Sequence, residues 1–147
     1  MPKWATVDDE QFQAFAESLH RAADGGFKEA VESEIGKSAQ IMLKEIKART
    51  PVDSGMLRRR WRIKAVSYQA PAFLLTLTNS AEYASFVENG HRQKVGQYVP
   101  AIGKQLKKPW VDGQFMMRDG VMESMPDVQD RLAQGVAKAI TEIFGGD

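Results

Sequence analysis

His20 and His91 are the only imidazoles in the chain, and they stand 71 positions apart. A histidine base needs a nucleophile or an orienting acid within hydrogen-bond reach, and neither is identifiable beside His91. His20 follows an apolar stripe near a helix end, where a surface or packing role is expected. Glu32 and Glu34 read as a solvated charge pair on a helix. Glu82 is accounted for by helix capping, and Glu88 is the other acid of a basic stretch. Gly90, Gly96 and Gly103 do not form a phosphate-cradling motif after a strand. Met116, Met117, Met122 and Met125 read as core or interface filler. Cysteine is absent, which removes disulfides, thiolate nucleophiles and cysteine metal sites together. No catalytic, cofactor-binding or metal-binding residue is therefore expected, and no cofactor. An enzyme built on His91 is the weakest of three readings.

The residues with the clearest chemical pattern are cations. After the turn Thr50-Pro51-Val52-Asp53-Ser54-Gly55, the chain alternates: Trp61, Ile63 and Ala65 on one side, Arg60, Arg62 and Lys64 on the other. With Arg58, these make a basic stripe. It can be a solvated face that discourages edge pairing. It can also be an interface, with arginine suited to bidentate carboxylate or phosphate contacts. Four cations exceed what solubility needs, which favours the interface. From His91 to Pro109 the pattern is lost. That segment holds His91, Arg92, Lys94, Lys104, Lys107 and Lys108 and no acid, and reads as a long basic loop awaiting a partner. Trp61 and Trp110 are the candidate large anchors, within the domain or between subunits. Tyr83 and Phe86 read as core.

Net charge is +1, yet it is sharply segregated. Residues 1–56 carry a net −3, residues 57–110 a net +8, and residues 111–147 a net −4. An acidic–basic–acidic chain can neutralise itself, neutralise a copy of itself, or offer its middle to a polyanion. Self-pairing ranks first, because nucleic-acid binding more often goes with a basic total.

The 147 residues make one domain by length. No apolar run approaches bilayer length, so no membrane partner is expected, and no export signal pattern is seen. Asp8 can cap a first helix with a stripe of Phe12, Phe15, Ala16 and Leu19. Gly25-Gly26 interrupts it. A second helix spans about residues 27–49, with Val31, Ile35, Met42 and Ile46 on one stripe, until Pro51 ends it. Strands are expected over about 57–68 and 72–78, joined at Gln69-Ala70-Pro71 as an antiparallel hairpin. Asn79, with Glu82, can cap a short helix ending at Asn89-Gly90. A strand near Trp110–Met117 should add to the hairpin. A last helix over 119–144, bent or restarted at Pro126, places Val128, Leu132, Val136, Ile140 and Phe144 at steps of four. The fold class is α+β: a small, mostly antiparallel sheet packed against a long N-terminal helix and a C-terminal helix, with a long basic loop. Residues 1–26 read as a helical extension and 27–147 as the main domain.

Three segments together carry a resemblance: Thr50-Pro-Val-Asp-Ser-Gly-Met-Leu-Arg, Tyr83-Ala-Ser-Phe-Val-Glu-Asn-Gly-His-Arg, and Trp110-Val-Asp-Gly-Gln-Phe-Met-Met. In this order and spacing the chain resembles the small tail-component or neck proteins of tailed bacteriophages and prophages, over roughly residues 30–145. The resemblance implies a non-enzymatic structural protein of the head–tail junction. It would form a homo-oligomeric ring and contact head-connector and tail-tube proteins. It would sit in the virion, and in the bacterial host cytoplasm before assembly. Tail-terminator or completion roles are close alternatives, as is a nucleic-acid-binding module using residues 57–110. A weak DNA contact could accompany the junction role. The motif residues Thr50, Pro51, Asp53, Gly55, Leu57, Tyr83, Glu88, Gly90, Gly113 and Phe115 are implied to be structural, with Gly90 ending a helix and Glu88 holding the cationic loop.

Overall fold

The computed structural model describes residues 9–70 and 72–145. Helix α1 is Asp9–Ala23 and α2 is Gly26–Arg49, with Gly25 turning the chain between them at φ +97°. A one-turn helix, α3 (Met56–Arg59), precedes the hairpin of β1 (Trp61–Gln69) and β2 (Ala72–Asn79). Helix α4 (Ala84–Asn89) leads into short strands β3 (Gly90–Arg92), β4 (Tyr98–Val99), β5 (Lys104–Gln105) and β6 (Trp110–Asp112). Helix α5 (Met116–Phe144) closes the chain. The expected Asp8 cap, the side chains of Phe12 and Phe15, and Pro71 lie outside the described residues.

The fold is α+β, with its strands all paired antiparallel and its longest helices packed on each other. Helices α2 and α5 run antiparallel, because Ile46 meets Gly120 while Glu34, three turns earlier in α2, meets Gly135. Both glycines are there for space. A Cβ on Gly120 would lie 2.8 Å from the Ile46 Cα, and one on Gly135 would enter the Glu34 side chain. The core fills around this seam with Met42, Leu43, Ile46, Leu57, Trp61, Ala81, Met116 and Val128, against which Ile63, Leu75 and Leu77 of the hairpin pack. Each fully buried Met, Leu, Ile or Val side chain among them contributes about 1.5–3 kcal/mol.

Several expectations need correction. Helix α5 starts at Met116 rather than Asp119 and runs on through Pro126. Steps of four drift by 40° each against 3.6 residues per turn, so the stripe begun at buried Val128 ends at exposed Ile140 and Phe144. Glu34 is not solvated. It is buried, with its carboxylate paired to Lys37 and to Arg131 Nη2 at 3.3 Å. The first strand does not begin at Leu57, since Met56–Arg59 is helical. Within β1 the register slips between Ile63 and Ala65, a bulge at Lys64. Ala65 therefore leaves the apolar face, and Val66 takes it up opposite Leu75. Asn79 caps a turn rather than α4: its Oδ1 accepts from Ala81 N at 2.9 Å, and its Nδ2 donates to Leu57 O at 2.8 Å.

The segment read as a loop is a ribbon. Strands β3 and β6 pair at its base, β4 and β5 near its tip. Between them Gln93 N donates to Pro109 O, Gly96 N to Leu106 O, and Leu106 N to Gln97 O. The expected third strand of the hairpin is thus β6, which pairs with β3 and not with β1 or β2.

Candidate interaction surface

The first motif folds around Thr50. Pro51 ends α2, and the buried Thr50 hydroxyl donates back to Ile46 O at 2.7 Å. The same oxygen accepts the Trp61 indole N–H at 2.9 Å, so Trp61 is the buried anchor expected of it. Gly55 turns the chain at φ +78°, which leads straight into α3. Arg58 consequently bends back to donate to Thr50 O at 3.2 Å, and Leu57 is buried. Asp53 is exposed. Residues 51–57 together with Tyr83 and Val87 line an open cavity of about 290 Å³.

The second and third motifs meet at one node. Gly90 ends α4 at φ +79°, ψ 173°, a region essentially open to glycine alone. A Cβ there would also lie 2.4 Å from Val111 O. Gly113 approaches Glu88 O and Asn89 as closely. Gln114 N donates to Val87 O and Phe115 N to Glu88 O. Phe115 itself sits at φ +47°, and its ring carries the Arg118 guanidinium at 3.8 Å. The Glu88 carboxylate accepts Met117 N at 2.9 Å and Arg118 N at 3.0 Å. It therefore caps the N-terminus of α5 instead of holding the basic segment, and its charge is well placed against the helix dipole.

This node is the root of the β3–β6 ribbon. Beyond it, every residue of 94–110 is exposed except the half-buried Val99 and Leu106. Trp110 is 45% exposed and lies beside Gly90, so it is not an anchor within the domain. His91 is half-buried with its ring 5.6 Å from Phe86, and its Nδ1 is buried without a hydrogen-bond partner. Arg92, Lys94, Lys104, Lys107 and Lys108 have no ion-pair partner among the described residues. Val95, Tyr98 and Ile102 are 57%, 58% and 58% exposed. The ribbon therefore presents unpaired cations and bare apolar side chains together.

The other expected interface set is dispersed. Arg58 belongs to α3 and Arg60 ends it; Arg60 donates to Ser80 O at 3.2 Å. Arg62 donates to Arg59 O at 2.9 Å, and Lys64 sits at the bulge. No single strand face carries all four. Tyr83 and Phe86, expected in the core, are exposed on α4. Sequence reasoning missed Val95, Tyr98 and Ile102. The available signal was a four-residue turn with Pro100 and Gly103 between two short runs, closed by Gly103 N donating to Val99 O.

Residues 13–90, more than half of the chain, match the family described as "Bacteriophage HK97-gp10, putative tail-component". The chain belongs to this family. No curated protein and no solved structure matches it. Membership makes it a structural phage protein of the tail-component kind, with the virion as its place. The matched span holds the Thr50 motif and the Tyr83 motif as far as Gly90, where it stops and the ribbon begins. No helix among the described residues is long and apolar enough to cross a membrane.

Proposed function

We propose that this tail-component chain acts at the head–tail junction, as a neck or tail component. It would assemble as a ring of copies that contacts the head connector and the tail tube. The observation that carries this is the ribbon: an exposed, acid-free segment whose cations have no ion-pair partner among the described residues and whose apolar side chains are bare, rooted where α4 meets the start of α5. A surface of that kind is stabilised when a partner covers it. Ring closure needs two different surfaces per subunit, and the acid-free ribbon and the more acidic α5 differ in the sign of their charge.

The test is electron microscopy of particles from a phage lacking this gene alone. Filled heads beside separate, finished tails are expected. Heads without proper tails would move the protein into tail assembly or termination. Normal infectious particles would sink the virion role. The same cations suit a DNA backbone, a contact that would weaken steeply with salt.

A further inference from the structure

Helix α5 has a second apolar stripe that nothing among the described residues covers. Met122, Pro126, Ala133, Ala137, Ile140 and Phe144 are all exposed, with Met122 at 68%. At 3.6 residues per turn they fall within about 60° of one another. This outer face is distinct from the seam against α2, which uses Met116, Gly120, Ser124, Val128, Gly135 and Ala139. Acids flank it on one side. Asp127 and Asp130 are exposed and have no ion-pair partner among the described residues.

The ribbon has the matching chemistry with the opposite sign. Val95, Tyr98 and Ile102 stand beside Lys94, Lys104, Lys107 and Lys108. Within one chain both surfaces remain exposed, so a chain's own ribbon does not cover its own stripe.

We infer that the ribbon of one copy lies along the outer face of α5 in the next copy. Its apolar side chains cover the Met122–Phe144 stripe, and its lysines meet Asp127 and Asp130. The occupant is a second copy of this chain, so the inference rests on the reading that copies assemble. The contact joins two different surfaces, so it is head-to-tail, the kind that closes into a ring or continues as a filament.

The chain contains no cysteine, which makes disulfide trapping free of background. Tyr98→Cys and Ala133→Cys are made in separate full-length chains, mixed and oxidised, both as concentrated protein and in assembled particles. The control pairs Tyr98→Cys with Gln40→Cys, an exposed position on α2. Cross-linked dimer should exceed the control by about tenfold, since bridging needs Cα atoms within about 7 Å. Asp127→Lys with Asp130→Lys should cut the yield, and Lys104→Glu with Lys107→Glu on the other chain should restore it. Yields equal to the control in both preparations overturn the inference. So does Tyr98→Cys trapping a different tail protein in place of a second copy. The two proposals fail separately: cross-links together with normal particles from the gene deletion would keep this contact and remove the junction role.

Discussion

Replacing Thr50 by valine deletes one oxygen and keeps the side-chain shape. Thr50 is 1% exposed and Trp61 4%, so water cannot substitute for the lost partner. Two bonds disappear, the 2.7 Å donation to Ile46 O and the 2.9 Å acceptance from Trp61 Nε1. Ile46 O also loses its donor, because Thr50 N donates to Lys47 O instead, and that loss is the same whatever stands at position 61. The indole N–H has no alternative and is left buried and unsatisfied, which costs about 1–3 kcal/mol. Taking about 2 kcal/mol, the midpoint of thermal unfolding should fall by roughly 4–8 °C for a domain of this size. The assay is urea and thermal unfolding of Thr50→Val, Trp61→Phe and the double variant. Phenylalanine has no N–H to strand, so Thr50→Val should cost far less in the Trp61→Phe background. An equal cost in both backgrounds would refute the claim that Thr50 is held for the indole.

Three further outcomes are expected. Glu88→Ala removes both acceptors at the start of α5, and should lower stability by about 1–2 kcal/mol in urea unfolding, with Glu88→Gln costing less. Gly90→Val meets a glycine-only conformation and the Val111 carbonyl, so it should yield little folded protein. Gly96→Ala, also at positive φ but in open space, should stay folded by circular dichroism. The hydrogen bond from Lys37, with the charge of Arg131, holds the Glu34 carboxyl below its ordinary value of 4.5 against the opposing effect of burial. A depressed folded value means its contribution is present above that pH and lost as pH falls through the lower one. Wild-type protein should thus exceed Glu34→Gln in stability at neutral pH, and the gap should close in acid; parallel curves would contradict this.

Helix α2 was legible almost to the residue, because one face is buried along its length and Pro51 stops it. The β1–β2 hairpin was legible for the same reason: Trp61, Ile63, Leu75 and Leu77 face the core, which imposes a period of two. The ribbon was not, because neither of its faces is buried and nothing forces alternation on residues 94–108. The bulge at Lys64 and the single turn of α3 are shorter than any period that could announce them. Alternation therefore puts Arg58 on a strand face, whereas the side chain folds back on Thr50. Glu34 was misread because its partner Arg131 and the space left by Gly135 lie about a hundred residues away, joined only by the packing of α2 on α5. What Glu88 holds was visible only once α4 met the start of α5.

The chain departs from the body at Gly90 and returns at Asp112, and these two residues are paired across β3 and β6. Its entry and exit thus share one doorway, so the ribbon is an inserted module rather than a strut of the fold. Such a module can be lengthened, shortened or exchanged while α2, α5 and the hairpin keep their packing. Excising residues 93–109 and closing the gap with an Asn-Gly turn should leave a body that still folds. Lineages of this architecture can then change partners by rewriting one protruding finger, with the core free to stay as it is.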